Sequence, residues 1–123
     1  MNTKKYELSI KPYPGKLFIT EEIKIYKSIY KKLSNVECKL EEDLAGYTSR
    51  GCFDGVHTYL VYATDTCSLI HELSHVALFI FKQCGINPVK ANGEPFCYFI
   101  DNLFKESVIR LSFKTSSLTT YTA

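Results

Sequence analysis

A chain of 123 residues that is 46% hydrophobic and 23% charged is expected to fold as one small globular domain rather than remain disordered. Its net charge is only +2, and its lysines are interspersed with acidic residues, which argues against nucleic acid as a partner. The longest apolar stretch, residues 69–81, is too short and too polar to span a bilayer, so no membrane association is expected.

The N-terminus and the cysteines both favour a cytoplasmic protein. No apolar segment follows Lys4 and Lys5, so the start of the chain does not resemble a secretory signal. The five cysteines are an odd number without a C-x-x-C pair, which is typical of reduced thiols rather than of a disulfide framework. The sequence indicates no oligomeric state.

Two short strands and a helix are predicted in the N-terminal third. Residues 6–10 alternate apolar and polar side chains, and a second apolar run at residues 16–20 follows a Pro- and Gly-containing turn. Helical spacing of Ile23, Tyr26 and Tyr30 predicts an amphipathic packing helix over about residues 21–33. Residues 36–50 are ambiguous, because a strand-like alternation at residues 36–40 runs into an acidic, exposed-looking segment.

A hairpin is predicted to lead directly into a long helix. Residues 46–50 and 56–63 flank a turn-prone segment, and the second of these strands is rich in β-branched and aromatic residues. Thr64, Asp65 and Thr66 are good N-cap residues, so a helix is predicted from about residue 66 to Gly85.

A further helix and the C-terminus complete the predicted domain. Asn92 is the expected N-cap, with Glu94 and Pro95 in the first turn of a helix that ends near Ser107. Residues 108–113 are predicted to form a closing strand, and the Ser- and Thr-rich residues 114–123 a frayed tail. We therefore expect one domain over residues 1–113.

The segment His71-Glu72-Leu73-Ser74-His75 carries the clearest chemical signal. Histidines at i and i+4 lie on one helical face and can both reach one metal ion, which points to zinc. Glu72 is rotated about 100° around the axis, where it can serve as general base toward a metal-bound water. The alternative is a metal-free apolar helix, but burying two imidazoles and a carboxylate without partners would be costly.

A catalytic zinc needs a third protein ligand, and Glu94 is the best candidate because a helical hairpin can fold it back toward the motif. Asp101 shares a helix face with Glu94 and competes as a ligand or as a partner that orients a histidine. Tyr98, on the same face, is a candidate hydrogen-bond donor to a developing oxyanion. His57 can approach the site but is more typical of an ordinary strand histidine.

These residues resemble those of zincin-type metallopeptidases, specifically small gluzincin-like proteins and short H-E-x-x-H proteins encoded by phages and prophages. The resemblance covers about residues 44–107 and includes His71, Glu72, His75, Gly85 and Glu94. It implies an α+β minimal zincin domain: a small, twisted, mostly antiparallel sheet, the motif helix, a third-ligand helix and the N-terminal packing helix. A phage-encoded protein would act in the cytoplasm of its bacterial host.

By this resemblance His71, His75 and Glu94 would bind one Zn²⁺, and Glu72 would activate water for hydrolysis of a peptide bond. A peptide or protein substrate is expected to lie antiparallel to the strand over residues 56–63. The rival interpretation is a non-catalytic protein, structural or interacting with other proteins, whose zinc holds two helices together.

Overall fold

A four-stranded mixed sheet organises the domain, in a computed structural model that describes residues 5–41, 43–111 and 113. The strand order is β1-β2-β4-β3, with β1–β2 and β3–β4 antiparallel and β2–β4 parallel. The elements in chain order are β1 (Lys5–Leu8), β2 (Lys16–Thr20), α1 (Ile23–Ser34), β3 (Gly46–Phe53), β4 (Val56–Ala63), α2 (Thr66–Gln83), a 3₁₀ turn (Lys90–Gly93) and α3 (Glu94–Val108). The α+β class and the mostly antiparallel pairing are confirmed.

The strand β4 lies inside the sheet and is covered on both faces. Its residues alternate between two clusters: Tyr59 and Val61 pack toward α2 and α3, whereas Leu60 and Tyr62 pack toward α1. Burial on both faces explains why the sequence of β4 is apolar almost throughout rather than alternating. The predicted peptide site beside residues 56–63 is therefore wrong, because both edges of β4 are already paired.

One face of the sheet is covered by α1 through Tyr26, which is fully buried. Its hydroxyl shares a hydrogen bond with Ser49 of β3, and burial raises the pKa of this phenol. Tyr26 therefore stays protonated and joins α1 to the strand at the edge of the sheet.

The other face is covered by α2 and α3, which contain the larger core. Phe81 of α2 is fully buried, and its ring contacts those of Tyr13, Phe96 and Phe99 at centroid distances of 5.3–6.0 Å. This aromatic cluster joins the C-terminal half of α2 to α3 and to the turn before β2.

The long helix begins and ends as predicted. Asp65 is the N-cap and accepts a hydrogen bond from the Ser68 N–H at 2.8 Å, and Gly85 beyond the helix has a φ of 70°. In contrast, α1 begins at Ile23 rather than at Glu21. The Thr20 hydroxyl accepts a hydrogen bond from the N–H of Glu22, the residue immediately before the helix.

Two predictions for the C-terminal third of the chain are wrong. Asn92 is not the N-cap of α3 but lies in the preceding 3₁₀ turn with a φ of 60°, and Gly93 takes the N-cap position. No strand is described over residues 108–111 and 113: α3 continues to Val108, and Leu111 is buried in the core. The spacing of Leu103, Ser107 and Leu111 keeps one face buried, which favours helical over extended backbone.

Residues 36–40 form no regular element, although Cys38 and Leu40 pack beside Tyr26. All five cysteines are free, and four of them are exposed. The predicted tail at residues 114–123 lies outside the described residues. Within the described ranges, none of the helices combines the length and the apolar character of a membrane-spanning segment.

Candidate active site

Two exposed imidazoles meet on the surface of α2. His71 and His75 are one helical turn apart, and their Nε2 atoms are separated by 3.2 Å. Two nitrogens held tetrahedrally at about 2.0–2.1 Å from one zinc ion lie about 3.3 Å apart. The pair therefore already has the nitrogen separation that two ligands of one zinc ion require.

Glu72 lies beside the histidines but points toward the sheet, with only 7% of its surface exposed. The Thr48 hydroxyl of β3 donates a hydrogen bond to Glu72 Oε1 at 2.5 Å and lies 3.3 Å from the main-chain oxygen of the same residue. This contact fixes the carboxylate between the helix and the strand, next to the two imidazoles.

Gly46 allows β3 to approach this carboxylate closely. A Cβ atom at this position would lie 3.0 Å from the Tyr62 carbonyl oxygen and 3.1 Å from Glu72 Oε2. Both contacts are tighter than ordinary van der Waals packing, so any larger residue would push the strand or the carboxylate aside. The missing side chain is thus part of the geometry around Glu72.

A cleft of 290 Å³ lies between β3 and α2. Its walls are formed by Tyr47, Thr48, His71, Glu72, His75 and Phe79. Among the described residues β3 pairs only with β4, so the main chain of β3 beside this cleft has a free edge. The cleft therefore combines the two imidazoles and a buried carboxylate with a strand edge that can pair with extended chain.

Phe79 lines the cleft and is in contact with Arg50. The Phe79 ring stacks against that of His75 at a centroid distance of 6.2 Å, and the Arg50 guanidinium lies 4.2 Å above the Phe79 ring. Arg50 is two residues beyond Thr48 on β3, so both side chains extend from the same face of the strand.

Glu94, the expected third ligand, does not join the histidines in this structure. It is the exposed first residue of α3, and no group of three or more His, Cys, Asp and Glu side chains within the described part of the chain could hold a metal. The left-handed backbone of Ala91, Asn92 and Gly93 sets the direction in which α3 leaves the loop, and sequence spacing does not predict this. The role of Glu94 stays a prediction.

The other candidate residues do not line the cleft. Tyr98 is 70% exposed on α3, and Asp101 forms an exposed ion pair with Lys105 at 3.1 Å. His57 lines a different cavity at the opposite end of β3. The structure therefore gives no support to an oxyanion role for Tyr98 or to a partner role for Asp101 toward the histidines.

Thr48, Gly46 and Arg50 belong to the site but were not predicted from the sequence. Their even spacing along β3 was the available signal, because residues two apart on a strand share one face. It became informative only once β3 was known to lie against α2.

We expect Thr48→Val to lower the free energy of unfolding by about 1–3 kcal/mol, because it leaves a buried carboxylate oxygen without its donor. Valine has nearly the same shape as threonine, so packing changes little. Urea unfolding would measure the loss, and Thr48→Ser, which keeps the hydroxyl, should recover most of it. Equal stability of Thr48→Val and the unaltered protein would contradict a stabilising hydrogen bond.

Comparison with known proteins identifies no relative of this chain. Neither family models, curated protein sequences nor solved structures give a match. The function therefore has to be inferred from the geometry of the residues themselves.

Proposed function

We propose that this protein is a zinc-dependent peptidase whose active site is the cleft between α2 and β3. The observation that carries this proposal is the 3.2 Å separation of the His71 and His75 Nε2 atoms beside the anchored carboxylate of Glu72. Two imidazoles one helical turn apart with a carboxylate beside them are the H-E-x-x-H arrangement, in which the histidines bind zinc and the glutamate acts as general base. The resemblance of these residues to the zincins supports the same conclusion.

His71 and His75 would hold the metal, and Glu94 is proposed as the third ligand. Because Glu94 does not group with the histidines in this structure, its participation would require the first turn of α3 to approach α2. The 3₁₀ turn at residues 90–93 connects that helix to the rest of the domain, so it is the segment that would have to rearrange.

A zinc ion bound here would lower the pKa of water and polarise a substrate carbonyl. Glu72 would accept a proton from the attacking water and later deliver it to the leaving amine, so one water is consumed for each peptide bond broken. Thr48 holds Glu72 Oε1, which leaves Oε2 as the oxygen that exchanges the proton. Thr48 is a positioning residue in this scheme.

An extended peptide would pair with the free edge of β3 rather than with β4. Alternate residues of the eight-residue strand β3 direct their main-chain donors and acceptors toward its free edge, and Tyr47 and Thr48 of this strand line the cleft. Addition of a peptide strand to an open sheet edge provides affinity through main-chain hydrogen bonds. The substrate class proposed is therefore an extended peptide or an unfolded protein segment.

The test is metal removal followed by metal return. Purified protein loaded with one equivalent of zinc should cleave an unstructured protein such as reduced, alkylated casein, and products should be identified by mass spectrometry. A chelator should abolish cleavage, and added zinc should restore it. Absence of cleavage by zinc-loaded protein would overturn the proposal.

A second candidate is a protein that binds zinc without catalysis. The observation that favours it is that Glu72, the proposed base, is only 7% exposed and is held against β3 by Thr48, as a purely structural carboxylate would be. In that case zinc would bind and raise the stability of the domain, while no peptide would be cleaved under any metal loading.

A further inference from the structure

A second cavity, of 230 Å³, lies beside Arg50. Arg50 connects this cavity to the cleft. It contacts Phe79, which lines the cleft, and it also lines the cavity. Tyr59 and His57 of β4 line the cavity because of the β3–β4 register, in which Arg50 pairs with Tyr59 and Cys52 pairs with His57. Gln83, at the C-terminal end of α2, closes the cavity.

The polar groups of this cavity are hydrogen-bond donors. Arg50, His57, Tyr59 and Gln83 all carry N–H or O–H groups, and no Asp or Glu is among the residues that line the cavity. Burial raises the pKa of Tyr59, so its hydroxyl stays protonated at neutral pH. A cavity with this lining favours an anionic group over a cationic one.

Arg50 is the charged group of the cavity, and its side chain is exposed. Within the described part of the chain, no carboxylate lies in ion-pair distance of its guanidinium. The central carbon of the guanidinium lies 4.2 Å from the centre of the Phe79 ring, and its N–H groups remain able to bind a carboxylate in bidentate geometry.

We propose that this cavity, called here the Arg50 pocket, binds a carboxylate of the peptide that the cleft accepts, and so selects acidic substrates. The inference rests on the proposed peptidase function, and it names the substrate class of the same site. It requires only that a peptide bind along β3, so peptide binding can test it independently of cleavage.

The strand geometry defines where the acidic residue should lie. Thr48, beside Glu72, and Arg50 are two positions apart, or about 7 Å along β3. A peptide antiparallel to β3 has its N-terminal side toward Phe53, so the residue opposite Arg50 lies about two positions N-terminal to the one opposite Thr48. A side-chain carboxylate at that position would reach the Arg50 pocket, whereas the C-terminal carboxylate of the peptide would lie at the Gly46 end.

The experiment uses Glu72→Gln protein, with and without zinc, and fluorescent peptides from one parent sequence. One pair has Glu or Gln at the position expected opposite Arg50, two residues N-terminal to the one expected opposite Thr48, and a second pair has a free or an amidated C-terminus. Fluorescence anisotropy should give at least about tenfold tighter binding of the Glu peptide than of the Gln peptide, as expected for a charge-assisted hydrogen bond. Amidation of the C-terminus should have little effect.

Arg50→Gln should remove the preference for the Glu peptide, and Arg50→Lys should keep part of it because charge remains without the planar fork. Lys24→Gln is the matched control, since it removes one exposed charge from α1 on the opposite face of the sheet. Far-UV circular dichroism would verify that the Arg50 variants stay folded.

Equal binding of the Glu and Gln peptides, or a preference that survives in Arg50→Gln, would overturn the Arg50 pocket. Sensitivity to C-terminal amidation without sensitivity to the internal Glu would also overturn it. If zinc-loaded unaltered protein cleaves peptides without charge preference, the peptidase function stands and only this inference fails. If charge-dependent binding is found but no cleavage, the pocket stands and the peptidase function fails.

Discussion

Glu72→Gln is expected to lower kcat for peptide cleavage by about 10²–10⁴-fold, while the protein still binds one zinc ion per chain. Glutamine has the size of glutamate, and its amide oxygen can still accept the hydrogen bond from Thr48, so the fold around the cleft should persist. What it lacks is the capacity to take a proton from water. Steady-state cleavage of a quenched fluorescent peptide, together with zinc measurement by elemental analysis, would test this expectation.

Glu37→Gln provides the matched control, because Glu37 is exposed in the segment after α1 and does not line the cleft. Its kcat should equal that of the unaltered protein. If Glu72→Gln also cleaves at the unaltered rate, another group supplies the base, and the role assigned to Glu72 is wrong. Loss of zinc in Glu72→Gln would instead indicate that the carboxylate supports metal binding.

His71→Ala and His75→Ala are each expected to reduce bound zinc from about one ion per chain to less than about one tenth, and to abolish cleavage. Each change removes one of the two nitrogens that lie 3.2 Å apart, and a site with one imidazole cannot retain the metal through dialysis. Because both side chains are exposed, neither change opens a cavity in the core. Zinc content after dialysis and thermal unfolding with and without zinc would be measured.

His57→Ala is the control for these histidine variants, since His57 lines the Arg50 pocket and should leave the zinc content unchanged. Glu94→Gln extends the same measurement to the third ligand. A fall in its zinc affinity would support the approach of α3 to α2, whereas unchanged affinity would show that a different group completes the site. Full zinc retention in both His71→Ala and His75→Ala would refute the metal site itself.

The sequence predicted correctly those features that depend on interactions between residues close together in the chain. The N-cap at Asp65, the left-handed Gly85 and the hairpin of β3 and β4 depend on residues within a few positions of one another. The proximity of His71 and His75 is also a local feature, because residues four apart in a helix lie one turn apart on the same face, regardless of the surrounding structure.

Predictions that needed long-range information were less successful. The parallel pairing of β2 with β4 leaves β3 at the edge, and this made the assignment of the peptide to β4 wrong. The β-branched residues at 108 and 109 favoured a strand. The chain instead stays helical through Val108, where Leu103, Ser107 and Leu111 are buried.

The sequence by itself determined the two imidazoles, the carboxylate between them and the helix that presents them, because all three depend on local spacing. Only the tertiary structure decided what faces that helix: Gly46 and Thr48 against Glu72, a free β3 edge along the cleft, and Arg50 over Phe79. It also left Glu94 apart from the histidines. The reason is that strand order and helix direction are set by the packing of residues far apart in the chain, which no local pattern encodes.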